Sequence, residues 1–168
     1  LRESDEALLA QISSGFERVA EKMEAVQLKA ALAEVMGLAT EVNKYLDVHA
    51  PWFEIKEDRA EAARSLYTAI QAIDWLKIMF APFLPHISER LNSILGYEQP
   101  LFGQAEVITV DDAVDTHEVL TYRGKHAADL WQAGVLDKGR PFDQPVPLVK
   151  KLDHKIVEEE RARLGTPS

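Results

Sequence analysis

The chain has 168 residues, 19 Lys+Arg against 28 Asp+Glu, and 46% apolar residues, the profile of one globular domain of modest size and not of a disordered, collagen-like or membrane-spanning chain. It contains no cysteine, which removes disulfides, thiolate zinc sites, iron–sulfur clusters and cysteine nucleophiles together. The net charge of −9 argues against wrapping nucleic acid by bulk electrostatics, because such binding grows with the number of Lys/Arg contacts to phosphate, so any RNA contact has to be local. Neither part offers a basic face by count: residues 1–96 carry 10 basic and 15 acidic side chains, and residues 97–168 carry 9 and 13.

Ser4 is a candidate N-cap with Asp5 and Glu6 in the first turn, and Leu8, Ile12, Phe16, Val19 and Met23 recur at helical spacing. A second stripe, Leu28, Leu32, Val35, Leu38, Val42 and Leu46, predicts a helix ending near Asp47, since Pro51 disfavours helix at the residue before it. Asp58 with Glu61 three residues on reads as a capping signal for a third helix, whose stripe runs Ala62, Leu66, Ala69, Ile70, Ile73, Leu76 and Phe80 up to Pro82. Pro85 suits the first turn of a fourth helix with Ile87, Leu91, Ile94 and Leu95 inward and Gly96 ending it in the left-handed conformation. Four helices on short connections predict an all-α fold, an antiparallel helical bundle over residues 1–97.

Residues 98–168 predict an irregular extension packing on that bundle. Within it Val107–Val110 and Val119–Tyr122 read as short strands or as extended segments laid on the helices. A final charged helix is expected over about 153–164, capped by Asp153, ended by Gly165 and carrying a Glu159–Arg163 pair. At ~12 residues it is too short to stand alone, so its Ile156, Val157 and Leu164 face is expected to dock on something.

The chain holds no phosphate-binding glycine loop, no dinucleotide turn, no nucleophile elbow and no His-Glu-x-x-His pair. His49, His86, His117, His126 and His154 share no i,i+3 or i,i+4 spacing, which disfavours a metal site of helical neighbours. Asp111, Asp112 and Asp115 lack the glycine and terminal glutamate of a calcium loop and read as a solvated turn. No catalytic residue and no metal ligand is expected. The longest apolar run, Ile78 to Leu84, falls far short of the ~20 residues that cross a bilayer, and Leu1 to Glu6 is no signal peptide, so a cytoplasmic protein without membrane contact is expected. A first residue other than Met fits an excised piece of a longer chain or a processed terminus.

One segment stands out: Asn43-Lys44-Tyr45-Leu46-Asp47-Val48-His49-Ala50-Pro51-Trp52. A Trp directly after a Pro at a helix exit is held by a rigid backbone, and its flat face is a surface on which an unpaired base stacks. Such stacking contributes ~1–3 kcal/mol per base without a large positive field. Lys44, Lys56 and Arg59 are candidates for adjacent phosphates. The competing reading makes Trp52 an interhelical plug and Asn43 a capping or inter-helix hydrogen-bonding residue.

At these residues the sequence resembles the anticodon-binding region of methionyl-tRNA synthetase, a class I aminoacyl-tRNA synthetase. The matching stretches are Glu41 to Trp52, then Phe80-Ala81-Pro82-Phe83-Leu84-Pro85 before a helix ending Leu95-Gly96, then Pro147-Leu148-Val149-Lys150-Lys151-Leu152-Asp153, with Val149 where the family has Phe. The resemblance spans roughly residues 16–165. It implies that Trp52, posed by Pro51, stacks on an anticodon base of methionine tRNAs, with Asn43 and Tyr45 supporting the site. In the family an Asn and an Arg four residues apart, on the helix before the first one here, also read anticodon bases; that helix is not in this sequence. The family's His-x-Gly-His and Lys-Met-Ser-Lys-Ser signatures are absent as well, Glu21-Lys22-Met23-Glu24 being only an echo inside a helix.

The resemblance therefore implies a non-catalytic part of a methionine–tRNA ligase. ATP with Mg would act in the parent's catalytic domain and no cofactor in this chain. The implied partners are the anticodon loop of methionine tRNA, CAU in sequence, and the catalytic domain of the same parent chain, the piece itself being a monomer without the barrel that dimerises some members. Two alternatives remain at this point: the equivalent domain of a leucine, isoleucine or valine synthetase, which Pro51-Trp52 disfavours, and a helical protein-interaction module with Trp52 in its core.

Overall fold

Helices account for most of the structure. A computed structural model describes residues 1–123, 127–149 and 153–163. They form α1 (Glu3–Glu24), α2 (Leu28–His49), α3 (Pro51–Glu54), α4 (Arg59–Phe80), α5 (Pro85–Ile94), a hairpin of β1 (Gln104–Asp111) and β2 (Thr116–Arg123), α6 (Ala127–Leu130) and α7 (His154–Arg163). The fold is the expected helical bundle with an irregular extension, to which the hairpin adds a small two-stranded sheet.

The core lies between α1, α2 and α4. Leu8, Ile12, Phe16 and Val19 of α1 meet Ala31, Val35, Leu38, Val42 and Tyr45 of α2 and Ala69, Ala72, Trp75, Leu76 and Met79 of α4. Each large side chain so buried contributes about 1.5–3 kcal/mol before the cost of ordering it. At Gly15 the α1 backbone passes so close to α2 that a Cβ would strike Leu38 Cδ1, which is why a helix-weakening residue sits mid-helix.

Three details depart from expectation. Arg2, not Ser4, precedes the first helix: its backbone N–H donates to Asp5 Oδ2 at 2.7 Å, so a carboxylate in the first turn does the capping. Helix α2 continues past Asp47 through His49, and Ala50 leaves it at φ 37°, the left-handed region, because Pro51 denies Ala50 the helical one. On α4, Leu66 is exposed and Ile70 and Ile73 are only half-buried, whereas Ser65, Thr68, Gln71, Asp74 and Lys77 are buried. Similarly on α5 Ser88 and Asn92 are buried while Ile87, Leu91 and Ile94 are half-buried. Hydrophobic spacing misplaces these faces because several of the buried polar residues have partners far away in sequence.

Asp58 caps α4 as expected, accepting from Ala60 N at 2.9 Å and Glu61 N at 3.1 Å. Gly96 ends α5 at φ 74°, and the Pro141 carbonyl lies where a Cβ would be. The hairpin pairs Val107 with Leu120 and Ile108 with Val119 in antiparallel register. Asp112 Oδ1 closes its turn by accepting from Val114 N and Asp115 N, and those N–H groups hold the Asp112 carboxyl below its ordinary value.

Residues 131–143 form a strap across the helices. Trp131 Nε1 donates to the Phe16 carbonyl (3.0 Å), Trp75 Nε1 and Gln71 Nε2 donate to the Gly134 carbonyl (2.6 and 3.1 Å), Leu136 N donates to Gln71 Oε1 (2.8 Å) and Asp143 N to the Ile94 carbonyl (3.0 Å). Beneath it a largely buried network joins Lys77 Nζ to Asp74 (2.8 Å) and Asn92 (2.9 Å), with the Tyr97 hydroxyl donating to Asp74 (3.0 Å) and the Tyr97 ring between Lys77 and Arg140. Burial lowers the Lys77 ammonium and raises the Tyr97 hydroxyl relative to their ordinary values.

In α7, Arg163 pairs with Glu160 at 2.7 Å, not with Glu159, whose partner is Lys155 at 4.0 Å. His126, Lys150, Lys151, Leu152, Leu164 and Gly165, which entered the sequence reading, lie outside the described residues. Among the described residues no helix is long and apolar enough to cross a membrane, and no three His, Cys, Asp or Glu side chains gather as a metal site.

Candidate nucleic-acid interface

The expected helix exit is an elbow. After Ala50 turns the chain, Pro51 opens the single-turn α3 at a position where its missing N–H costs nothing. Phe53 N and Glu54 N both donate to the Ala50 carbonyl, and Ile55 N to that of Pro51. Pro51 is buried, which anchors the turn, while the next residue projects outward: Trp52 is 51% exposed and Phe53 66%. Trp52 is therefore not an interhelical plug. Its ring and that of Phe53 lie 6.4 Å apart at 65°. With exposed Val48 and Ile55 they form an uncovered apolar and aromatic surface around the elbow.

The two residues expected to support Trp52, Asn43 and Tyr45, lie in different environments. Asn43 is exposed on α2, about 10 Å of helical rise before the elbow, and makes no side-chain hydrogen bond among the described residues. Tyr45 faces the opposite way and is 7% exposed. Its hydroxyl donates to Asp5 Oδ1 at 2.6 Å and accepts from Arg2 Nη2 at 3.1 Å, while its ring packs on His49 at 4.4 Å between centroids. Burial, then the bond to Asp5, raises the Tyr45 hydroxyl above its ordinary value. A side chain so enclosed contributes little to the exposed surface around Trp52.

The three candidate phosphate contacts also differ. Lys44 is exposed but paired with Glu41 at 2.7 Å. Lys56 and Arg59 are exposed between α3 and the first turn of α4, and neither pairs with a carboxylate among the described residues. Together the elbow offers a flat exposed aromatic, a second one beside it and two nearby cations, the combination on which an unpaired base stacks while its backbone is held.

Sequence reasoning missed Arg2, Asp5, Ser65 and Glu54. Ser65 Oγ donates to Glu54 Oε2 at 3.0 Å and accepts from Arg2 Nη2 at 2.7 Å, and Arg2 Nη1 lies 3.2 Å from Glu61 and 3.6 Å from Glu54. The one available signal was Asp5, an acidic residue in the stripe of a buried helix face.

A helical bundle whose Pro-anchored elbow leaves an aromatic ring exposed offers a flat surface on which an unpaired base can stack. The family described as the anticodon binding domain of methionyl tRNA ligase matches residues 1–119, and the chain belongs to that family. It is 48% identical over 164 residues to the methionine–tRNA ligase of Thermomicrobium roseum, covering 95% of this chain and 28% of that one, and 45% identical over 161 residues to that of Chloroflexus aggregans, covering 95% and 27%. The chain thus spans little more than a quarter of the length of these relatives. Among solved structures, the free methionyl-tRNA synthetase of Mycobacterium tuberculosis superposes with a TM-score of 0.54 at 28% identity, over 57% of this chain and 20% of that one. The same enzyme is known in complex with methionyl-adenylate.

Proposed function

We propose that this chain reads the CAU anticodon of methionine tRNAs for a parent methionine–tRNA ligase, with residues 1–97 as the reading bundle and residues 98–168 as its extension. The carrying observation is the exposed Trp52 ring on the buried Pro51. Trp52 stacks on an anticodon base, Asn43 lies on the outer face of the same helix exit, Lys56 and Arg59 hold neighbouring phosphates, and Tyr45 supports the elbow from inside. ATP-dependent activation of methionine, with Mg, belongs to the parent's catalytic body: neither a phosphate-binding glycine loop nor the family's two nucleotide-binding signatures occurs among these residues. The 168-residue chain acts as a monomer, and α7, ten residues long with Val157 exposed, docks on that body, since so short a helix needs a partner. Equal hydrogen-exchange protection of α7 in the chain and in the parent enzyme would sink the docking idea.

The test is a titration with an anticodon stem-loop carrying CAU and one carrying a changed anticodon, following tryptophan fluorescence in the wild type and Trp52→Ala. Quenching by CAU that disappears in Trp52→Ala is expected. Equal signals from both loops in both proteins would overturn the reading.

A further inference from the structure

We propose that Arg2, Asp5, Ser65 and Glu54, with Tyr45, form a positioning clamp that fixes the α2–α3 elbow and through it the pose of Trp52, a role that rests on the stacking function proposed for that ring. The need for a clamp follows from the elbow itself. Helix α3 is a single turn, far below the length at which a helix holds itself, and Ala50 sits at φ 37°, a conformation that an L-residue keeps only when its surroundings impose it. Pro51 fixes its own φ and keeps Ala50 out of the helical region, but it does not hold the chain after α3.

The network grips the elbow on both sides. Before the turn, Tyr45 hydrogen-bonds Asp5 and Arg2 and packs its ring at a tilt against His49, the last residue of α2. After the turn, Glu54, the last residue of α3, accepts from Ser65 of α4 and faces Arg2. One guanidinium spans both arms: Arg2 Nη2 donates to Tyr45 and Ser65, Nε to Asp5 at 3.1 Å, and Nη1 to Glu61. Trp52 lies between the two gripped residues, seven positions after Tyr45 and two before Glu54. Asp5 is fully buried, and Ser65 with it, so these bonds act in a low dielectric where they strengthen one another and where a missing member leaves its partners unsatisfied. Burial works to raise the Asp5 carboxyl, and the hydrogen bonds from Tyr45 and Arg2 outweigh it and hold the group below its ordinary value.

A network that merely stapled four helices together would stabilise the bundle without controlling the exposed ring. Glu54→Ala and Ser65→Ala release the arm after the turn while leaving the apolar core whole, and Val19→Ala damages the core away from the elbow. Three readouts on the 168-residue chain separate the roles: thermal unfolding, amide exchange at Phe53 and Ile55, and affinity for the CAU and changed anticodon stem-loops. Expected in Glu54→Ala and Ser65→Ala are exchange at Phe53 and Ile55 faster by about tenfold, and CAU affinity weaker by about tenfold with a narrower margin over the changed loop. Val19→Ala is expected to lower the melting temperature without either change. If Glu54→Ala and Ser65→Ala keep wild-type exchange and affinity while Trp52→Ala loses binding, the clamp is refuted and the stacking reading stands. If Trp52→Ala binds CAU as the wild type does, the stacking reading falls and the clamp loses its function with it.

Discussion

The three tryptophans divide between two regions. Trp131 lies in the strap and Trp75 on the α4 face beneath it; each indole N–H donates to a backbone carbonyl, of Phe16 and Gly134 respectively, and Trp131 packs edge-on against the Phe16 ring at 5.6 Å. Trp52 belongs to the elbow, is half exposed and has no hydrogen-bond partner for its N–H among the described residues. Both regions rest on buried polar networks, yet one is closed by a strap and the other ends in an open aromatic face. Around Asp74, Lys77, Asn92 and Tyr97 the partners are supplied by the fold itself, which makes that network a fastener. Around Arg2 and Asp5 the partners are also supplied, but the residue they surround in sequence is left unused by the fold. A large aromatic that folding exposes and does not bond is what the stacking proposed for Trp52 requires.

The sharpest way to break this contrast is to remove each ring. Trp75→Ala takes away a buried side chain of the central cluster and one of the two donors to the Gly134 carbonyl, so unfolding by denaturant should show a loss of about 3–5 kcal/mol. Trp52→Ala should leave the same measurement within about 0.5 kcal/mol, as surface changes do. Its effect belongs in the stem-loop titration, where the loss of one stacked base costs about 1–3 kcal/mol. A stability loss in Trp52→Ala comparable to that of Trp75→Ala would erase the distinction between the regions.

A smaller effect tests whether the elbow and α4 are mechanically joined. Asp58 alone caps the first turn of α4, four residues after Glu54, and Asp58→Ala should cost about 1 kcal/mol of stability by denaturant unfolding. Because Ser65 and Glu61, which hold the clamp, lie within the first two turns of that helix, fraying there should also speed exchange at Ile55. Exchange in the strap, anchored further along α4 by Gln71 and Trp75, should not change.

How far the sequence carries depends on whether a residue's partner is local. Helix stripes, the Asp58 cap and the Gly96 terminator follow from neighbours within a few positions and were legible, whereas the residues alone left Trp52 open between an interhelical plug and an exposed ring, and only the family resemblance pointed to the exposed ring that the structure has. The buried polar face of α4 was not legible. Ser65, Gln71 and Asp74 sit inward only because Arg2, Gly134 and Tyr97 reach them across 63, 63 and 23 residues of chain, and a hydrophobic-spacing argument assigns the same helix face to Leu66 and Ile70. Tyr45 was named by its motif as support for the site, but its burial was not legible, for the same reason: its partner Asp5 is 40 residues away.

The finest test concerns the cations at the elbow. Lys44 holds Glu41 in an exposed pair, which contributes at most a few tenths of a kcal/mol to stability, and a lysine already facing a carboxylate has less charge to offer a phosphate. Lys56 carries no such partner among the described residues and follows α3 directly. Measuring CAU stem-loop affinity against salt concentration separates them: each phosphate contact to a single strand contributes about 0.7 to the slope of log affinity on log salt. Lys56→Ala should flatten the slope by about that amount without altering the preference for CAU, since phosphate contacts position and do not specify. Lys44→Ala should flatten it less, because a lysine already paired with Glu41 makes less of a phosphate contact to lose. If Lys56→Ala left the slope unchanged while Lys44→Ala reduced it, the RNA would run along α2 toward Asn43 and not past the elbow toward Arg59, and the assignment of the two flanks of Trp52 would have to be reversed.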